Sequence, residues 1–331
     1  MTTTRSALTA ALLLASASCA AANVWEFTPP GGILDVWYPP TPGVYRFTLY
    51  GAHGGAGVVG LNFGGRGALI SGTIALNTTE NFAVLHSIGE PGVSGTSANG
   101  FRSGGGGATA VVIIDDFGDY RPFIIAGGGG GGSGAPDVNG QYGQITTSGG
   151  ASCTAAGGTD GSGGGSANPD VGGGGGMYTD GAGGLRAGLA LINGGFGGIA
   201  WGITVGGLGG GAAAGPGFWG AGGGGYSGGA GSCGGGGGGS FVHPAFTDVQ
   251  KIEGGALLPD GIGKLRIELI APRCFGDLNG DHAVNTLDLT SFLAGFGTAV
   301  PRGVGADFDI NGVVNTADLV VLLGAFGGPC P

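Results

Sequence analysis

Strict alternation of apolar and polar residues marks the stretch "GKLRIELI", where Leu265, Ile267 and Leu269 fall on one side and Lys264, Arg266 and Glu268 on the other. A period of two predicts a strand with one buried face. Five further stretches, "VYRFTLYGA", "GALISGTIAL", "NFAVLHSI", "ATAVVIID" and "RPFIIAGG", are rich in β-branched and aromatic residues and also predict strands. Near the C-terminus the period changes. Leu289, Phe292, Leu293 and Phe296 are spaced i, i+3, i+4 and i+7, and Leu319, Leu322, Leu323 and Phe326 repeat that spacing at an offset of 30. Each set predicts a short amphipathic helix. Gly297 and Gly327 stand where a C-terminal cap belongs. The expected fold is mainly β, a sandwich over residues 23–271 followed by a small helical module over 272–331.

Between the strands glycine dominates. It supplies 87 of 331 residues, against a usual share of about 7%. Such density ordinarily means disorder, yet the strand-like stretches that flank the runs argue for a folded region. A glycine chain can adopt the left-handed helix with three residues per turn, rising about 3.1 Å per residue, and without side chains several such helices can lie close together. The runs at 127–132 and 234–239 would each extend roughly 19 Å in that form. Ordering glycine carries a high entropic cost, which only dense hydrogen bonding between helices can offset.

The stretch before each C-terminal helix is acidic. "DLNGDHAVNTLD" begins at Asp277 and "DFDINGVVNTAD" at Asp307. A twelve-residue calcium loop takes side-chain oxygens from positions 1, 3, 5 and 12, a carbonyl from position 7 and often a water held at position 9. The first copy offers Asp277, Asn279, Asp281, Asp288, the Ala283 carbonyl and Asn285. The second offers Asp307, Asp309, Asn311, Asp318, the Val313 carbonyl and Asn315. Two Ca²⁺ sites are therefore expected. Position 6 needs a sharp turn, which Gly312 suits better than His282, so the first loop is expected to be the weaker.

The run "GDLNGDHAVNTLDL … ADFDINGVVNTADLVVLL" resembles a type I dockerin, over Cys274 to Cys330. The aspartates at position 12, Asp288 and Asp318, agree with that family. The resemblance implies docking onto a cohesin-like domain of another protein, through loop positions 10 and 11. These are Thr286 and Leu287 in the first copy, Thr316 and Ala317 in the second. A second resemblance covers roughly Val24 to Ala271. "YRFTLYGAHGGAG", "GGGGATAVVI", "PFIIAGGGGGG" and "SCGGGGGGSFV" look like the glycine-rich extracellular domain of anaplastic lymphoma kinase and leukocyte tyrosine kinase. It implies a jelly-roll-like β-sandwich carrying polyglycine-helix insertions. Cys153 and Cys233 both lie in glycine-rich segments, which suits a clasp across that bundle.

Residues 1–22, with Arg5, the apolar "ALTAALLLA" and the small residues of "SASCAAA", read as an export signal. A secreted, extracellular or cell-surface location is expected, with no transmembrane span. Outside that segment the cysteines are Cys153, Cys233, Cys274 and Cys330, an even count that suggests disulfides with three possible connectivities. Cys274 and Cys330 bracket both acidic loops, and a bridge there would be worth about 4 kcal/mol. Net charge is −10 with two lysines, Lys251 and Lys264, so no basic surface suits nucleic acid. "GYSGG", around Ser227, matches a nucleophile elbow, but in so glycine-rich a chain one chance match is expected. The expected protein is non-enzymatic, a structural or binding domain attached to a cohesin-like or envelope partner. Membership of a polysaccharide-degrading system, with polysaccharide as ligand, is the first alternative, and an ice- or surface-binding protein the second.

Overall fold

The computed structural model describes residues 23–28, 35–57, 62–76, 84–97, 100–114, 118–134, 138–200 and 204–328. The alternating stretches form the centre of two antiparallel sheets. In the first, β3 (Gly43–Tyr50) lies between β4 (Leu69–Leu76) and β14 (Lys264–Pro272), with β1 (Val24–Phe27) and β13 (Thr247–Ile252) at the edges. In the second, β8 (Thr109–Ile114) is flanked by β5 (Val84–Ser87) and β9 (Tyr120–Ala126), with β2 (Asp35–Trp37) and β12 (Phe241–Val242) outermost. Two small hairpins stand apart, β6 (Ser94–Ser97) with β7 (Gly100–Ser103) and β10 (Ile199–Ala200) with β11 (Thr204–Val205).

One core lies between the two five-stranded sheets. Tyr45, Phe47 and Leu49 turn inward from β3, Leu265 and Ile267 from β14, and Val111, Phe123 and Ile124 from the other sheet. Phe47 meets Phe123 edge-on at 6.0 Å between ring centroids, and Phe123 meets Phe246 at 4.8 Å. Trp37 is buried there, with Trp25 against it at 5.4 Å. Trp201 and the expected signal, 1–22, lie outside the described residues.

The glycine runs are ordered backbone. Gly128 and Gly131 donate to Gly224 and Ala221, Gly129 and Gly132 to Ala52 and Gly55, Gly130 and Ser133 to Gln141 and Val138. The partner segment recurs every third residue, the period of the extended three-residue helix, and none of Gly127 to Gly132 takes a positive φ. Carbonyls of the same run accept from Ala68 and Gly65, from Gly238 and Gly235, and from Gly106. So close an approach leaves no room for side chains. A Cβ on Gly129 would overlap the carbonyl oxygen of Gly65, and one on Gly236 that of Gly150. Cys153 and Cys233 form a disulfide between two of these segments, with Cα atoms 6.2 Å apart.

The C-terminal sequence folds into two loop-helix units, with α1 at Thr286–Gly295 and α2 at Thr316–Ala325. Gly297 and Gly327 follow in the left-handed region, at φ 79° and 70°. Only part of each predicted stripe is buried. Phe292 and Leu322 fill the small core with Val284, Val314 and Phe308, whereas Leu293, Phe296, Leu323 and Phe326 are exposed. Two helices cover too little volume to enclose a whole stripe each, so its outer half faces solvent.

Candidate metal centre

Each acidic loop is held by its own side chains. Asn285 caps α1, accepting from the Leu287 N–H at 2.8 Å, while Asp288 accepts from the Asn285 N–H at 2.8 Å in a reciprocal capping box. The other oxygen of Asp288 accepts from the N–H groups of Leu278 and Asn279, at 2.8 and 3.2 Å, drawing the start of the loop onto the helix. The second copy repeats this. Asn315 caps α2 through the Ala317 N–H, and Asp318 accepts from Asn315, Phe308 and Asp309. The loops also clasp each other's helices. Gly297, just beyond α1, donates to the Val314 carbonyl, and Gly327, just beyond α2, donates to the Val284 carbonyl.

This scaffold gathers three carboxylates per loop. Oxygens of Asp277, Asp281 and Asp288 lie within 4.8 Å of one another, as do those of Asp307, Asp309 and Asp318. Asp277, Asp288, Asp307 and Asp318 are fully buried, and among the described residues none of these four forms an ion pair. Burial holds the Asp307 carboxyl above the usual range, the Gly303 and Gly312 N–H groups pull it down, and Asp318 and Asp309 push it up again. Uncompensated charge at such a place is strongly destabilising. A cation relieves it, and an all-oxygen donor set suits a hard one. The two clusters could hold a metal ion.

The remaining expected ligands have visible roles. Asn279 accepts from the Asp281 N–H and its amide reaches the Asp281 carboxylate. Asn311 accepts from the Val313 N–H and reaches Asp309. The position-9 amides of Asn285 and Asn315 face the carbonyls of Ala283 and Val313, at 3.4 and 3.0 Å. Thr286, Leu287, Thr316 and Ala317 are exposed on the first turns of the helices. Cys274 is disulfide-bonded, while Cys330 lies outside the described residues.

One expectation needs correction. His282 does occupy the left-handed region, at φ 65°, where the second loop has Gly312 at φ 84°. Position 4 also turns left-handed, and there the order reverses, with Gly280 at φ 81° in the first loop and Ile310 at φ 65° in the second. A β-branched residue tolerates this region worse than histidine, so backbone strain does not make the first loop the weaker.

Two other features bear on function. Ser227 is fully buried and its Oγ accepts from the Gly161 N–H at 3.0 Å, which makes it structural. An open groove of about 1070 Å³ runs along the glycine-rich region, lined among others by His53, Phe63, Arg66, Tyr142, Gln144 and Glu253. Its residues come from four separated stretches, so no local pattern announced it. Among the described residues, no helix is long and apolar enough to cross a membrane. Compared with known proteins, the chain matches no family model and no curated protein.

Proposed function

We propose that this is an exported, non-enzymatic structural or binding protein, in which a calcium-dependent dockerin-like module attaches a glycine-rich domain to a cohesin-like or envelope partner. The glycine-rich domain is a jelly-roll-like sandwich carrying a bundle of polyglycine helices. The observation that carries this reading is the doubled site: two three-carboxylate clusters, each with two buried members and one exposed, built from one 30-residue repeat and clasped reciprocally. Asp277, Asp281 and Asp288 would hold one Ca²⁺, and Asp307, Asp309 and Asp318 the other, each ion neutralising buried carboxylates that are faced by backbone N–H groups and, among the described residues, by no cation. Export is supported by the 1–22 segment and by the Cys153–Cys233 bridge, which persists in oxidising compartments. Exposed Leu287, Leu293 and Phe296 on one unit, and Val320, Leu323 and Phe326 on the other, supply apolar surface for docking. Isothermal calorimetry tests the ion, with two equivalents of Ca²⁺ expected. Capture by an immobilised cohesin, in calcium and then in chelator, tests the docking. No calcium uptake would overturn the reading.

The groove favours a second role as a ligand-binding domain. Phe63 and Tyr142 expose aromatic surface beside Arg66, Gln144 and Glu253. Among the described residues Glu253 is the one carboxylate that lines it, whereas glycoside hydrolysis ordinarily requires two. The groove thus supports binding over cleavage.

A further inference from the structure

The repeat is symmetrical in sequence but not in its attachment. The chain between α1 and the second loop crosses to the sandwich, where Val304 is 6% exposed and packs in the core that holds Tyr45, Phe47 and Trp37. Val304 also forms a β-bridge with Leu76, the last residue of β4. The neighbouring Gly303 donates its N–H to Oδ2 of Asp307 at 3.0 Å, in a buried bond. Through that bond Gly303 links the carboxylate at loop position 1 to the adjoining Val304 in the sandwich core, with only Gly305 and Ala306 between Val304 and Asp307 along the chain. Thirty residues earlier the matching positions are Arg273, which follows β14 directly and donates its N–H to the Pro42 carbonyl, and Cys274, whose side chain packs in the core of the C-terminal module and not in that of the sandwich. There the Asp277 carboxylate accepts from Gly280 and His282, both inside its own loop.

We infer that the second calcium loop is a structural element of the sandwich, so that Ca²⁺ at Asp307 stabilises the glycine-rich domain, while Ca²⁺ at Asp277 acts on the C-terminal module. This deepens the proposed function and rests on its calcium reading. An ion that fixes the Asp307 carboxylate fixes the acceptor of the Gly303 N–H, and with it the backbone that seats Val304. Binding to the folded state alone shifts the unfolding equilibrium of whatever unfolds with the site. The protein would then lose stability in its sandwich, and not only its attachment, where calcium is scarce.

The chain carries its own reporter. Its four tryptophans, Trp25, Trp37, Trp201 and Trp219, all precede residue 273, and Trp25 and Trp37 belong to the same core as Val304. Tryptophan-monitored unfolding of the full chain therefore reads the glycine-rich domain, while calorimetry on the same sample counts bound calcium. At a hundred-fold excess of Ca²⁺ over Kd, the tryptophan transition should rise by about 5–10 °C. Asp277→Asn should keep most of that rise and Asp307→Asn should lose it. Val304→Ala, which leaves every carboxylate in place, should still take up calcium with a smaller rise. Calcium uptake with an unmoved tryptophan transition overturns the coupling alone, as does an equal effect of the two aspartate changes. Absence of any uptake overturns the calcium reading and the coupling with it.

Discussion

Replacing Gly129 by alanine adds one methyl group at the centre of the glycine bundle, where the structure has no space for it. The new Cβ would overlap the Gly65 carbonyl oxygen. Relief requires the segments at 65–68 and 127–132 to separate. Nearby bonds are Gly65 N–H to Gly130 at 2.7 Å, Gly129 N–H to Ala52 at 2.9 Å and Gly106 N–H to Gly129 at 2.8 Å. Water has no ready access to these buried groups, and each left unpaired costs about 1–3 kcal/mol. Losing two such bonds gives a destabilisation of roughly 2–6 kcal/mol, a large part of a typical total of 5–15 kcal/mol. At about 2–4 °C per kcal/mol for a domain of this size, the melting temperature should fall by roughly 4–24 °C. The same change at Gly324 should do the opposite. That glycine lies within α2 with nothing within 4 Å of an added Cβ, so alanine should stabilise by about 0.5–1 kcal/mol through helix propensity. Scanning calorimetry of both variants decides the matter. Gly129→Ala melting with the parent would refute the claim that backbone contact, and not mere chain flexibility, demands glycine in these runs.

The strain at position 4 predicts that Ile310→Gly raises the apparent calcium affinity of the second loop by about 2–5-fold, since a left-handed L-residue costs about 1–2 kcal/mol and glycine's entropy returns part of it. His282→Gly should help the first loop less, and a calorimetric titration showing the reverse order would contradict the strain argument. Replacing Cys153 and Cys233 by serine should destabilise the bundle by up to about 4.5 kcal/mol, from an enclosed separation of 80 residues; a melting temperature equal to the parent's would show that the bridge constrains nothing. Thr286→Arg and Thr316→Arg should each weaken cohesin capture mildly and together abolish it, with calcium uptake intact. Complete loss from one change alone would show that the partner reads a single face.

Much of this architecture is legible wherever its cause is local. β3, β8, β9 and β14 bury one or both faces in a core, and burial writes a pattern on the residues themselves. β13 is exposed along its whole length, Thr247 to Ile252, so nothing in its sequence distinguishes it from a loop. The carboxylate clusters are equally plain, because twelve consecutive residues supply every member of each. The left-handed turn at position 4 is marked by Gly280 in the first copy, but Ile310 in the second carries no turn signal of its own. Val304 carried no signal at all. Its burial depends on a sandwich strand that ends more than two hundred residues earlier in the chain.

The glycine runs mark the boundary between these cases. Their composition matches that of disordered chains, because the unfolded state gains most from residues without side chains. What opposes that entropy is a set of partners drawn from distant segments: the run at 127–132 bonds to residues near 52, 65, 106, 141, 224 and 238. No window along the sequence contains such a set. Each run needs the others in place before its hydrogen bonds exist, so order here belongs to the assembled bundle. The sandwich strands bring the runs together. Gly51 follows β3 directly and donates to the Ala68 carbonyl just before β4, while Gly127 follows β9 and accepts from the Ala68 N–H. The strands align the ends of the runs, and the extended helices then continue the backbone pairing past the point where side chains stop fitting. A domain built this way requires its sheets and its glycines to fold as one unit.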